Sequence, residues 1–154
     1  MMGTVEAIHI ATEGAAPMRG VDEAYAKAGS GLVGDRYARG TGSFSSKAQP
    51  YQQATLIEAE ALEAIRREYD ISLEPGGSRR NITTRGIALN HLVGREFTVG
   101  EVRMRGIKLC EPCGHLEKLS GLEGIRKSLI HRGGLKAEVI GDGRIAVGDA
   151  IRSD

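Results

Sequence analysis

The segment REFTVGEVRMRGI, residues 95–107, has the pattern of a β-hairpin. A turn is expected at Gly100-Glu101, and beyond it Val102 and Met104 alternate with two arginines. Alternation with a period of two turns one set of side chains toward a core and the other toward water. The segment therefore predicts a pair of half-buried antiparallel strands.

The same pattern occurs at both ends of the chain. LKAEVIGDGRIAVGDAIR, residues 135–152, has apolar runs around Gly141-Asp142-Gly143, and this is the strongest hairpin signal in the sequence. TVEAIHIA, residues 4–11, predicts a first strand with Ile8 on one side and Val5 on the other.

Helices are predicted at three places. ATLIEAEALEAIRREY, residues 54–69, indicates a short strand that runs into a helix, and GLEGIRKSLIHRGG, residues 121–134, indicates a second helix that stops at Gly133. GHLEKLSG, residues 114–121, could begin a third. PGGSRRNITT, residues 75–84, is typical of a turn that leads into a strand.

Composition agrees with a β-rich fold. Glycine accounts for 22 of 154 residues and aromatic residues for only 4%, which favours many tight turns. The strands do not alternate regularly with helices, so a doubly wound parallel sheet is not expected. We predict one domain over residues 1–154, mainly β with α: an antiparallel β-barrel-like fold with a few flanking helices.

Charge and hydropathy exclude several classes of function. The net charge of +1 gives no global field for nucleic acid, so no nucleic-acid partner is expected. No basic stretch followed by an apolar core opens the sequence, and no apolar run reaches about 18 residues. The expectation is a cytoplasmic protein without a membrane partner.

The two cysteines, Cys110 and Cys113 in LCEPCGHLEKLSG (residues 109–121), leave four interpretations open. A structural zinc site needs about four ligands, and two further cysteines are missing, so no zinc is expected. A redox dithiol is suggested by the CEPC spacing, but it lies in the last third of the chain rather than after an early strand. Two buried apolar thiols, or one reactive thiol at Cys113 activated by a following helix, remain.

Two other stretches could hold an anion. GGSRRN places Arg79, Arg80 and Asn81 behind two glycines, and guanidinium groups with open backbone N–H groups bind phosphate. GLVGDRY places Asp35 and Arg36 in a glycine-rich loop. Solvated arginines and a turn-stabilising pair are the plainer interpretations of the same residues.

Taken in order, these stretches resemble the MOSC domain, the family named for the C-terminal domain of molybdenum-cofactor sulfurases. The resemblance rests on GLVGDRY, QATLIEAEALEAI, RRNITTRGIALNHLVGREFTVGEVRMRG and CEPC, and it extends from VEAIHIA to GRIAVGDAIR. It implies a β-barrel-like fold and an association with molybdenum cofactor, a pterin with a dithiolene and a phosphate, or with sulfur transfer.

The resemblance also implies roles for particular residues. Cys113 corresponds to the family's characteristic cysteine, the expected molybdenum ligand or persulfide carrier. The residues expected to bind the cofactor are Arg79, Asn81, Asp35, Arg36, Gln52 and Gln53. Position 37 is tyrosine where relatives often have histidine, so no role is assigned to it.

Three functions follow from the resemblance. The first is a molybdenum-cofactor oxidoreductase that reduces N-hydroxylated small molecules, with electrons from an external donor because the chain has no ferredoxin-like cysteine set. The second is a sulfur carrier with a persulfide on Cys113. It would be loaded by a separate cysteine-desulfurase-type pyridoxal phosphate enzyme, since no pyridoxal phosphate is expected in this chain. The third is a non-enzymatic cofactor-binding module.

Overall fold

A computed structural model describes residues 1–39, 49–111 and 114–154. The strands in these residues are β1 (Met2–Ile10), β2 (Arg19–Val21), β3 (Glu23–Lys27), β4 (Gly31–Leu32), β5 (Ala54–Glu58), β6 (Ile82–Arg85), β7 (Glu96–Val99), β8 (Val102–Leu109), β9 (Leu135–Val139), β10 (Gly143–Ala146) and β11 (Ala150–Arg152). The helices are α1 (Arg36–Arg39), α2 (Ala59–Tyr69), α3 (Gly114–Ser120) and α4 (Ile125–Ser128), with 3₁₀ turns at Pro50–Gln52 and Leu89–Leu92. None of the described helices has both the length and the apolar character needed to cross a membrane.

Seven strands close into a barrel in the order β11-β7-β8-β9-β5-β6-β1, because β1 also pairs with β11. Strand β2 continues the sheet outside the barrel, and β10, β3 and β4 form a separate three-stranded sheet. The barrel pairs are antiparallel except β5 with β6, which run parallel. The predicted mainly β, barrel-like fold with flanking helices is confirmed.

Two hydrophobic clusters flank the wall of the barrel. The larger cluster fills the interior and includes Ile8, Leu56 and Ile82. The smaller one lies outside and joins Ile57 of β5 to residues of the helices, such as Ile65. Because β5 is covered on both faces, all but its last residue are buried.

Several local predictions are confirmed. Strands β7 and β8 form the hairpin, with Val99 opposite Val102. Strand β5 runs directly into α2, and α3 begins at Gly114. In each case the deciding contacts lie close together in the sequence.

The second predicted hairpin, at residues 135–152, is wrong. Strands β9 and β10 both form, but β9 lies between β5 and β8, whereas β10 pairs with β3. The turn region is instead held by the loop after β3: Gly29 N–H donates to the Val139 carbonyl and Ala28 N–H donates to Asp142 Oδ1. Long-range partners therefore override the local turn signal.

The predicted sides of β1 are also wrong. Val5 and Ile8 were expected on opposite faces, yet both belong to the interior cluster. The register of β1 against β6 shifts between Val5 and Ala7. This β-bulge moves the inward-facing positions by one residue.

The second predicted helix, residues 121–134, is much shorter in the structure, where α4 covers only Ile125–Ser128. Gly124 immediately before it has φ of 86°, outside the helical region. The predicted stop at Gly133 is therefore wrong, because the helix ends one turn earlier.

Gly134 offers a test of the packing between β9 and β5. Its φ is 111°, and an added Cβ would overlap the Leu56 carbonyl oxygen. Gly148 has φ of 94° and nothing within 4 Å of the same position. We expect Gly134→Ala to lower the free energy of unfolding by about 3 kcal/mol and Gly148→Ala by about 1 kcal/mol, as measured by urea denaturation. Equal losses would show that the close approach does not constrain the fold.

Candidate functional site

Three of the segments singled out in the sequence meet in the fold. Arg36 Nη2 donates a 3.0 Å hydrogen bond to the carbonyl of Arg79. Arg80 Nη2 donates a 3.4 Å hydrogen bond to the carbonyl of Cys110. The structure thus joins the GDR loop, the SRRN turn and the start of the cysteine segment. We call the region around Arg36, Arg79 and Arg80 the arginine site.

Asp35 anchors the GDR loop from inside the protein. Its side chain is fully buried, and Oδ1 accepts hydrogen bonds from Ala11 N–H at 3.0 Å and Arg36 Nη1 at 3.1 Å. Oδ2 accepts from Tyr37 N–H at 3.3 Å. Asp35 therefore orients Arg36, whose own side chain is also buried.

Arg79 is a half-buried cation in a strained backbone position. Its φ of 64° lies in the left-handed region that non-glycine residues rarely adopt. Nη2 donates to the Gly14 carbonyl at 2.8 Å. Burial, followed by the like charge of Arg36, lowers the pKa of the Arg79 guanidinium. The site thus holds this charge where it is poorly solvated.

Arg80 is buried and bonded to backbone carbonyls of three segments. Nε donates to Gly133 at 2.9 Å, Nη1 to Ser78 at 3.2 Å and Nη2 to Cys110 at 3.4 Å. In the described part of the chain, neither Arg79 nor Arg80 forms an ion pair with a carboxylate. The sequence did not identify Arg80 as a separate site residue, because two adjacent arginines give no sign of which one is buried.

Asn81 connects three strands of the barrel. Its fully buried side chain accepts hydrogen bonds from Thr55 N–H and Thr55 Oγ1, both 3.1 Å long. Nδ2 donates to the His9 carbonyl at 3.1 Å. In this arrangement the amide serves the fold, and its role in cofactor binding stays a prediction.

The two glutamines lie at the start of β5 and are also buried. Gln53 Oε1 accepts a 2.9 Å hydrogen bond from Val139 N–H, which fixes the end of β9. Gln52 is 8% exposed in the 3₁₀ turn Pro50–Gln52. Their roles as cofactor ligands remain predictions.

The cysteine segment is fixed where it leaves β8. Cys110 is buried with a free thiol, and its N–H donates to the Gly134 carbonyl at 2.7 Å. Glu111 Oε2 then accepts from His131 N–H at 3.2 Å. Cys113 lies outside the described residues, so its predicted position at a cleft, across from Arg79 and Asn81, stays a prediction. Among the side chains that the structure describes, which exclude those of Cys113 and His115, no three His, Cys, Asp or Glu residues gather as a metal site.

His9 is a buried residue next to this site that no sequence motif marks. It is 7% exposed, and its Nδ1 has no hydrogen-bond partner among the described residues. Burial lowers the pKa of its imidazole. The ring packs so closely on Gly76 that a Cβ there would lie 2.7 Å from His9 Cδ2.

Two clefts flank the loop of residues 72–77. One, of about 330 Å³, is bordered by His9 and Thr83. The other, of about 500 Å³, is bordered by Arg79 and by the apolar side chains Met18, Leu119 and Leu122. Glu74 also borders this cleft, so apolar walls with one cation and one carboxylate make it suited to a small organic ligand.

Comparison with known proteins gives one family and one fold. The family model of the MOSC domain matches residues 43–152, and no curated protein matches the chain. The fold is similar to YuaD from Bacillus subtilis (TM-score 0.77, 17% identity, 98% of this chain and 94% of that chain). It is also similar to YiiM from Geobacillus stearothermophilus (TM-score 0.73, 14% identity, 98% of this chain and 74% of that chain). A third similar structure is YiiM from Escherichia coli (TM-score 0.72, 19% identity, 99% of this chain and 69% of that chain).

His9 predicts a loss of stability in acid. Its pKa in the folded protein is below the ordinary value of about 6.5, so the unfolded chain binds more protons between the two values. The stabilisation is present above about pH 6.5 and is lost as the pH falls through this window, by about 1.4 kcal/mol per unit of pKa difference.

Urea denaturation between pH 7 and pH 5 measures this effect. His9→Phe should flatten the slope of stability against pH, whereas His131→Gln, at an exposed histidine, should retain it. An unchanged slope in His9→Phe would assign the acid sensitivity to other groups.

Proposed function

Since the chain belongs to the MOSC domain family, we propose that it binds molybdenum cofactor at the arginine site and reduces N-hydroxylated small molecules. MOSC domains are associated with this cofactor. The observation that carries the proposal is an excess of positive charge: Arg36, Arg79 and Arg80 are buried or half-buried in adjoining segments, and among the described residues only Arg36 has a carboxylate partner. A bound anion would compensate the other two charges.

The donor groups of the site fit a phosphate-bearing cofactor. Guanidinium groups bind phosphate through charge-assisted hydrogen bonds. Burial lowers the pKa of the Arg79 guanidinium because its charge is poorly solvated there. A bound anion would stabilise this charge. A persulfide carrier has no comparable need for clustered arginines, so this observation favours cofactor binding over the sulfur-carrier role.

Each residue of the site then has a defined role in binding the cofactor. Arg79 binds the phosphate of the cofactor, and Arg36 holds the turn that presents Arg79 through its bond to the Arg79 carbonyl. Arg80 fixes the carbonyl of Cys110 and thereby the start of the segment that leads to Cys113, the molybdenum ligand. Thiolate is a soft ligand suited to such a metal. The bound cofactor would supply the redox chemistry, with electrons from an external donor.

The proposal is tested on protein purified natively from a host that makes the cofactor. We expect about one molybdenum and one pterin per chain, and turnover of an N-hydroxylated base when a chemical reductant supplies electrons. Cofactor without turnover would indicate a binding module. Absence of molybdenum with one extra sulfur on Cys113 would indicate a sulfur carrier, and both results would contradict the proposed reaction.

Arg79→Ala should weaken cofactor retention by about tenfold or more, because a charge-assisted hydrogen bond to phosphate is lost. Pterin content after dialysis measures the effect, which should grow with salt as the remaining exposed charges are screened. Arg126→Ala, at an exposed arginine of α4, is the matched control. Equal pterin content in the two variants would contradict the assignment of Arg79.

The two cysteines should respond differently to substitution. Cys113→Ser should abolish activity or sulfur loading, because a serine hydroxyl at neutral pH is neither a thiolate nor a soft ligand. Cys110→Ser places a hydroxyl in a buried position and should mainly reduce stability, by about 1–2 kcal/mol. Metal content, activity and urea denaturation are measured side by side, and equal loss of activity would favour a dithiol site instead.

A further inference from the structure

The outer face of the barrel carries a polar row that crosses four neighbouring strands. Asn81, just before β6, bonds to Thr55 of β5. Thr55 lies opposite Lys136 of β9, and Lys136 lies opposite Lys108 of β8. Side chains at opposite positions share a face of the sheet, so the row runs from the arginine site to the two lysines.

A β-bulge turns Lys108 onto this face. The register between β8 and β9 shifts between Gly106 and Lys108. Before the shift, Arg103 and Arg105 are exposed and Met104 faces the interior. Strict alternation would turn position 108 inward with Met104, but Lys108 is exposed. Bulges commonly redirect a side chain in this way next to functional sites.

The charges in this row are unmatched, although those in the next row are paired. Arg105 lies opposite Glu138 and forms an ion pair with Glu96. Lys108 and Lys136 lie opposite each other, and neither forms an ion pair in the described residues. Residues 40–48 and 112–113 contain no acidic residue. Like charges directly opposite each other destabilise a sheet. An anion bound to Lys108 and Lys136 would relieve this repulsion.

Neighbouring groups support an anion site here. The Lys108 ammonium lies 4.4 Å from the centre of the Tyr51 ring, which holds the side chain in place without neutralising its charge. Lys108 is two residues from Cys110, whose carbonyl binds the buried Arg80. Lys108 therefore lies near the end of the strand that Arg80 binds.

We propose that Lys108 and Lys136 form a second anion site that binds a phosphate group. Lysine ammonium groups act as point charges for phosphate. Strands β8 and β9 place the Cα atoms of the two lysines opposite each other. The phosphate belongs either to a phosphorylated substrate, with the cofactor's phosphate at Arg79, or to the bound cofactor, in which case the lysines hold the phosphate in place of Arg79. The site itself does not depend on the proposed reaction.

Residue-resolved titration tests the site directly. Inorganic phosphate is added to ¹⁵N-labelled protein, and the amide signals of Lys108, Lys136 and Thr55 are followed, with sodium chloride at matched ionic strength as the reference. Lys108→Gln and Lys136→Gln should each weaken phosphate binding at these signals by about tenfold. Lys27 of β3 is exposed and forms no ion pair with the described residues, so Lys27→Gln should leave phosphate binding unchanged.

Charge reversal separates binding from stability. In phosphate-free buffer of low ionic strength, Lys136→Glu should raise the melting temperature by a few degrees, because it replaces repulsion with attraction. The same variant should lose the stabilisation by phosphate seen in the wild type, and Lys136→Arg should retain it. Identical responses to phosphate and chloride, or full phosphate binding in Lys136→Glu, would overturn the proposal.

The source of the phosphate is resolved by the pterin content of Lys108→Gln and Lys136→Gln after native purification. A loss of pterin together with phosphate binding assigns the site to the cofactor. A loss of phosphate binding with full pterin content assigns it to a substrate. If the arginine site binds no cofactor at all, the phosphate titration still decides whether the lysines form a site.

Discussion

The pairing of β1 with β11 closes the barrel, and the rest of the structure depends on that closure. It places Gly3 opposite Ile151 and leaves no open edge among the seven strands of the barrel. The apolar side chains of these strands fill the interior. Most polar groups therefore lie on the outer wall and in the loops, where the candidate site lies; Thr84, which is buried opposite Val5, is an exception.

Buried polar side chains position that site on the outer wall. Asp35 fixes the loop that holds Arg36, Asn81 connects β1, β5 and β6, and Arg80 bonds the SRRN turn to the end of β8. Each of these groups is largely satisfied by backbone partners, as buried polar groups must be. What remains uncompensated is net positive charge. These bonds give the arginine site a fixed frame, in which the proposed anion would balance the charge.

The sequence allowed the fold class and the convergent segments to be predicted, but it did not identify long-range partners. The hairpin of β7 and β8 is local, so its pattern was sufficient. Strand β10 instead pairs with β3, at Arg144 opposite Tyr25, and no local pattern can reveal a partner so distant in the chain. Likewise, RRN predicted an anion site, yet only the tertiary structure distinguishes the strained Arg79 from the buried Arg80. His9 had no motif at all, because its environment comes from a glycine turn nearly seventy residues away.

The closure of the barrel also has a consequence for biosynthesis. Met2 pairs with Arg152, so residues 150–152 must be synthesised before the first strand obtains both of its barrel neighbours. Contacts so distant along the chain fold slowly, because the entropy of a large loop is lost before they form. Until then β1 presents an unpaired apolar edge, the kind of surface that chaperones shield. Closure of the barrel is therefore a late step of folding, because it waits for β11 to reach β1.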